Sequence, residues 1–288
     1  MSKKKLIYNL FVVCGTELFI FLLGLKGIGY IFSTAIYPLL DGIQDIKLYE
    51  FWYWAGYFSL YLLPAAAILI YMRMTDRTVL ASFAPQKGSG RAFVIGSLMG
   101  AAINMLCVLL AAATGCFTLT LSGFTPLIIL QAIFSFFLCA CEELFCRGYV
   151  LEYLKKSYPI EVAATMGGVL FIFHHIFNME IFGFNPFFAL NVFLIGVLLT
   201  LVMQLTRSIW AAFGIHTFWN FTQQFIMGLP NSGESSSLSI FQGNGAVDGF
   251  FFNTVYGLEG APGTTLVILV VLVILYTLYR RQQAATYA

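Results

Sequence analysis

Residues 186–205, PFFALNVFLIGVLLTLVMQL, run for twenty positions without a charge. At a rise of about 1.5 Å per residue, a helix of that length spans the roughly 30 Å hydrocarbon core of a bilayer. Outward from this stretch the pattern repeats. Apolar segments lie at about 6–25, 51–72, 92–113, 125–146, 160–178, 208–228 and 262–279, eight with the first. The stretch 27–40 is also apolar and either extends the first span or lies in the interface. Over the 288 residues, 60% are hydrophobic and only 10% charged. Mean hydropathy is +0.86. A soluble globule cannot cover that much apolar surface. The expected fold class is therefore all-α: a polytopic membrane helix bundle of about eight transmembrane helices, residues 1–288 forming one integral membrane domain.

The charges sort the loops into two sets. If the N-terminus is cytosolic, the cytosolic segments hold Lys3, Lys4, Lys5, Arg73, Arg77, Lys87, Arg91, Lys155, Lys156, Arg207, Arg280 and Arg281, 12 of the 15 basic residues. The opposite loops hold Asp41, Asp45, Glu50, Glu180, Glu234, Asp248 and Glu259, with Lys47 and Lys26. This matches the positive-inside rule and places both termini in the cytosol, in a multi-pass protein of the cell membrane. The lysine-rich start followed by apolar residues resembles a signal peptide, but no small-x-small site follows it, so it reads as an uncleaved first helix. The net charge of +2 gives no indication of nucleic acid as a partner.

The six cysteines, Cys14, Cys107, Cys116, Cys139, Cys141 and Cys146, sit in or at the ends of apolar stretches and form no C-x-x-C pair, so they read as small core residues. Gly96-x-x-x-Gly100 reads as a helix-packing face. The longest loop, about 229–261, is rich in Gly, Ser and Asn and is either a lid or a connector.

Polar groups within spans are costly unless paired or functional, so they carry the functional information. Cys141-Glu142-Glu143-Leu144-Phe145-Cys146-Arg147-Gly148 places two carboxylates in one span. Glu143 and Arg147, at i and i+4, share a face and can pair. Glu142 points about 100° away, free for another partner. Phe171-Ile172-Phe173-His174-His175 and His216-Thr217-Phe218-Trp219-Asn220 hold every histidine of the chain. His216 and Asn220 share a face, whereas only one of His174 and His175 is expected to face inward. Glu17, Asn104 and Asn191 read as helix–helix hydrogen bonds.

Glu142 and His175 lie at about equal sequence distances from the Lys155–Pro159 turn, hence at similar depth. Three helices are thus expected to converge on a polar chamber open to the cytosol. A carboxylate and an imidazole can hold and deprotonate a water. His216 and Asn220 can donate to a tetrahedral oxyanion. Together they describe a peptide hydrolase within the membrane. The same Glu142, His175 and His216 are also acceptable zinc ligands, and both arrangements stay open. No H-E-x-x-H, G-x-S-G or G-x-G-D motif occurs, and no transport repeat.

In order, Glu142-Glu143…Arg147, Phe171…His175 and His216…Asn220 (E-E-x-x-x-R, F-x-x-x-H, H-x-x-x-N) resemble the CAAX protease and bacteriocin-processing (CPBP, or Abi) family of intramembrane proteases. The flanks Arg147-Gly148-Tyr149 and Ser208-Ile209-Trp210-Ala211-Ala212 add to the likeness, which covers about 125–225, the family's catalytic core. The resemblance implies that Glu142 and His175 activate water. It also implies that His216 and Asn220 form an oxyanion hole and that Glu143, Arg147 and Phe171 support the site. It leaves a zinc mechanism beside a metal-free one. The implied partners are membrane lipid and a peptide or protein substrate, lipidated or bacteriocin-like. A catalytically idle immunity or scaffold protein and a proton-coupled transporter are the competing readings. The doubled histidine leaves the register open, and the Phe171 spacing points to His175.

Overall fold

A computed structural model describes residues 3–81 and 83–287, with the side chains of Lys3, Lys4 and Lys5, counted above among the cytosolic charges, outside the described part. The chain is a helix bundle with one two-stranded ribbon. The helices are α1 (Lys3–Ile31), α2 (Ile46–Leu60), α3 (Leu62–Thr75), α4 (Ser89–Ala113), α5 (Leu127–Glu143), α6 (Ile160–His174), α7 (Ile176–Phe182), α8 (Pro186–Thr206), α9 (Ile209–Phe221) and α10 (Pro262–Tyr287). A π-helical turn at Phe32–Ile36 carries α1 on to Leu40, so the 27–40 stretch extends the first span. A second π stretch, Leu144–Leu151, continues α5.

Among the described residues seven helices are long and apolar enough to cross a membrane. Their outer faces display rings and aliphatic chains such as Phe11, Phe19, Leu98, Leu109 and Val273, which suit lipid rather than water. The protein is an integral multi-pass membrane protein. The eighth expected span, 208–228, differs. It forms α9 and a π turn at Thr222–Ile226, shorter than the others and almost wholly enclosed by neighbours. A helix sheathed in protein has no lipid thickness to match.

Local chemistry sets the helix ends. Asn185 accepts from the backbone N–H groups of Phe187 and Phe188 at 2.9 and 3.0 Å, capping α8 ahead of Pro186. Arg207 takes a left-handed conformation (φ 53°) that stops α8, and Ser208 caps α9. The two loop sets occupy opposite ends of the bundle. Lys156 bonds Asp76 at 2.6 Å, and Gln282 lies against the Leu205 carbonyl. At the other end Glu50 accepts from Ser236 Oγ (2.8 Å) and Ser237 N (2.6 Å), and Asn185 donates to the Gly260 carbonyl. There β1 (Thr118–Leu121) pairs antiparallel with β2 (Phe241–Asn244), Thr118 opposite Asn244. The long loop is therefore neither a loose connector nor a free flap.

The tightest crossing is α4 on α9. A Cβ on Gly96 or Gly100 would run into the carbonyl oxygens of Ala211 and Ile215, and one on Gly214 into that of Phe93. The G-x-x-x-G face packs, as its spacing suggests. Gly100→Val is expected to destabilise the protein by about 1–3 kcal/mol through overpacking. Gly27→Ala, with nothing within 4 Å, should leave the melting temperature in detergent unchanged.

Candidate active site

Arg147, on the π stretch, is completely buried. Its Nη1 donates to Glu143 Oε1 at 2.9 Å and its Nη2 to the Gly196 carbonyl at 2.7 Å. The guanidinium lies over the Phe171 ring, 4.8 Å from its centroid. Gly196 has to be glycine here. A Cβ would sit 2.9 Å from Gly168 Cα and 3.3 Å from Arg147 Nη2, blocking the approach of both. Glu143 Oε1 also receives His216 Nδ1 at 2.9 Å. One ion pair thus fixes the face of α9 that carries His216 and Asn220.

With Nδ1 committed to Glu143, His216 turns Nε2 toward Glu142, 3.7 Å from its Oε2. Among the described residues the Glu142 carboxylate accepts no hydrogen bond. It borders a cavity of about 580 Å³, open side included, lined by Tyr57, Tyr61, His174, His175, Asn220, Asn231 and Glu234 among others. A smaller cavity beside it is lined by Phe171, His175, His216, Trp219, Asn220 and Glu259. Glu142, His175 and Asn220 line the larger cavity and Phe171, His175, His216 and Asn220 the smaller, with the Glu143–Arg147 pair behind His216.

Two expectations need correction. Both histidines of the pair border the chamber. His175 sits where α6 breaks into α7, with its Nδ1 donating to the Phe171 carbonyl at 2.9 Å, which leaves Nε2 as an acceptor. His174 is held by Glu17, its Nε2 2.5 Å from Oε1, with Phe21 stacked on the ring at 3.6 Å. Nor does the chamber open to the basic end. Glu142 lies about 20 Å along its helix from Lys155. The wall beyond it is built by Asn178, Asn231, Ser232 and Glu234 from the acidic end.

That wall is what sequence reading missed. Glu259 is buried and accepts from Trp219 Nε1 (2.9 Å), Asn231 Nδ2 (2.8 Å), Ser232 N (2.7 Å) and Ser232 Oγ (3.0 Å). Burial pushes its carboxyl above the ordinary range, against the pull of the Trp219 and Ser232 donors. Asn231 in turn donates to Asn220 Oδ1 at 3.4 Å, while Asn220 Nδ2 points at Cys139 Sγ, 3.6 Å away. Glu234, raised by burial, completes the rim. The only signal was an acid close to the start of the last span. Asn191, expected between helices, accepts from Thr265 Oγ1 of α10 at 2.7 Å and also holds the loop by donating to the carbonyls of Glu259 and Ala261. Asn104 bonds Gln223 at 2.9 Å. All six cysteines are free and buried.

The expected zinc set does not close. Glu142 and His216 approach each other, but with His175 they do not form a trio. Among the described residues the trio whose ligand atoms all lie within 4.8 Å of one another is Glu17, Cys146 and His174.

Residues 124–222 match the family model described as Type II CAAX prenyl endopeptidase Rce1-like. No curated protein and no solved structure matches the chain. The match covers 99 of the 288 residues, and over that stretch the chain is similar to the CPBP/CAAX protease family. That similarity supports an intramembrane endopeptidase in general.

Arg147→Leu would leave Glu143 buried without its countercharge. It should cost about 3–5 kcal/mol, measured by unfolding in mixed micelles, and Glu143→Gln/Arg147→Met should recover much of the loss. Glu259→Gln weakens the anchor of the loop and should speed proteolytic nicking between residues 232 and 256.

Proposed function

We propose that the chain hydrolyses peptide bonds of membrane-associated or hydrophobic peptides with a water activated by Glu142 and His175. The observation that supports this most directly is the Glu142 carboxylate, buried, facing the chamber and accepting no hydrogen bond among the described residues. A carboxylate with free lone pairs beside an oriented imidazole is a general base waiting for a proton donor.

The steps follow from the side chains. His175 Nε2 accepts one hydrogen of the water and Glu142 removes the other as the oxygen attacks the scissile carbonyl. The new C–O bond pushes the carbonyl electrons onto oxygen. His216 Nε2–H and the Asn220 amide donate to that oxyanion. Glu142 then passes its proton to the amide nitrogen as the C–N bond breaks. For His216 to donate from both nitrogens it must be an imidazolium. Arg147 and His216 then balance the charges of Glu142 and Glu143. No step is routed through a metal.

The reading extends to orientation. With the Arg73, Lys155, Arg207 and Arg280 end in the cytosol and both termini there, the chamber lies toward the outer leaflet. Substrates, lipidated or bacteriocin-like peptides, are then met there.

Glu142→Gln, tested in liposomes on quenched hydrophobic peptides, should lower kcat by about 10²–10⁴-fold with an unchanged melting temperature. Retained cleavage would overturn the assignment. A biological effect that survives the substitution would indicate a scaffold or immunity role, and proton flux abolished by it would indicate a transporter.

A further inference from the structure

The catalytic reading leaves one buried cluster unused. Glu17 of α1, Cys146 of the π stretch and His174 of α6 meet beside the chamber, Cys146 next in sequence to Arg147 and His174 on the chamber wall. Glu17 and Cys146 are 0% exposed and His174 4%. Glu17 Oε1 is 2.5 Å from His174 Nε2, and Cys146 Sγ is 3.9 Å from each ring nitrogen. The other oxygen, Glu17 Oε2, is buried with no hydrogen-bond partner. A fully buried acid in a span, half satisfied by one imidazole, is an expensive arrangement for packing alone.

The donors are an oxygen, a nitrogen and a sulfur on three separate elements. A carboxylate, a thiolate and a neutral imidazole carry two negative charges in all, so one divalent cation would neutralise the cluster in a medium that does not tolerate net charge. Bond lengths of about 2.0–2.3 Å to zinc set neighbouring ligand atoms roughly 3.3–3.8 Å apart. The sulfur–nitrogen separation already lies near that range, and the Glu17–His174 contact needs to open by less than about 1 Å. The mixed hard and soft donor set suits zinc better than calcium or magnesium.

We propose that Glu17, Cys146 and His174 form a divalent-metal site, zinc by its ligand chemistry, that fastens α1 to the core formed by α5 and α6. Entry of the ion displaces the thiol proton and the proton shared between Glu17 and His174. The site lies outside the residue set expected to hold zinc and is independent of the cleavage steps. Three helices are joined there, one of them outside the stretch matched by the family model.

The test is metal content of the purified full-length chain after dialysis against Zn²⁺ in detergent. About one zinc per chain is expected, lost at least fivefold in both Glu17→Gln and Cys146→Ser and retained in Glu142→Gln and His216→Ala. Replacement of Zn²⁺ by Co²⁺ in the wild type should give a thiolate-to-cobalt charge-transfer band, which reads the sulfur ligand even if a variant fails to fold. Substoichiometric metal in the wild type, retention in both cluster variants, loss in Glu142→Gln or cobalt spectra without the sulfur band would each overturn the site. None of these readouts depends on peptide cleavage, so the peptidase reading stands or falls separately.

Discussion

The structure hangs on one buried cation. Arg147 lies in a π-helical stretch within the bundle, out of reach of water, and every partner it has belongs to a different part of the fold. Glu143 precedes it on its own helix, the Gly196 carbonyl comes from α8 and the Phe171 ring from α6. Through Glu143 it reaches His216 on α9. A guanidinium in so dry a place costs several kcal/mol unless all of these contacts hold. The four helices therefore have one relative arrangement that satisfies it. The small residues follow from this, because Gly168 and Gly196 let α6 and α8 close up around the charge.

Given that anchor, the two doubled residues of the sequence divide their work. In each pair the neighbours point about 100° apart. Glu143 turns to Arg147 and Glu142 to the chamber. His174 turns to Glu17 and Phe21, while His175, placed at the break between α6 and α7, keeps one nitrogen free. A member locked into the bundle thus holds in place a neighbour that faces the chamber. This is a direct way to keep a polar group oriented where solvent cannot do it.

Much of this was legible beforehand because it is local. The uncharged run 186–205, the i and i+4 spacing of Glu143 with Arg147 and of His216 with Asn220, and the partition of lysines and arginines among loops are all properties of short stretches. The glycine spacing in α4 also carried its meaning openly. What stayed hidden depends on contacts far apart in the chain. Glu17 and His174 are 157 positions apart, and no periodicity connects them. Glu259 looked like an ordinary loop acid; its burial follows from Trp219, Asn231 and Ser232 closing around it. The enclosure of α9 is hidden for a related reason, since hydropathy cannot distinguish a helix facing lipid from one wrapped in other helices.

The segment from Asn231 to Leu238 covers the chamber and is pinned at both ends, by Glu259 at Ser232 and by Glu50 at Ser236 and Ser237. A roof fastened in two places is a vault and not a door, so in the proposed reaction substrate enters sideways between helices, past rings such as Tyr57 and Tyr61 that line the chamber. A peptide arriving by that route keeps its anchor in the bilayer throughout. Water, not peptide, is then the scarce reagent of the proposed hydrolysis.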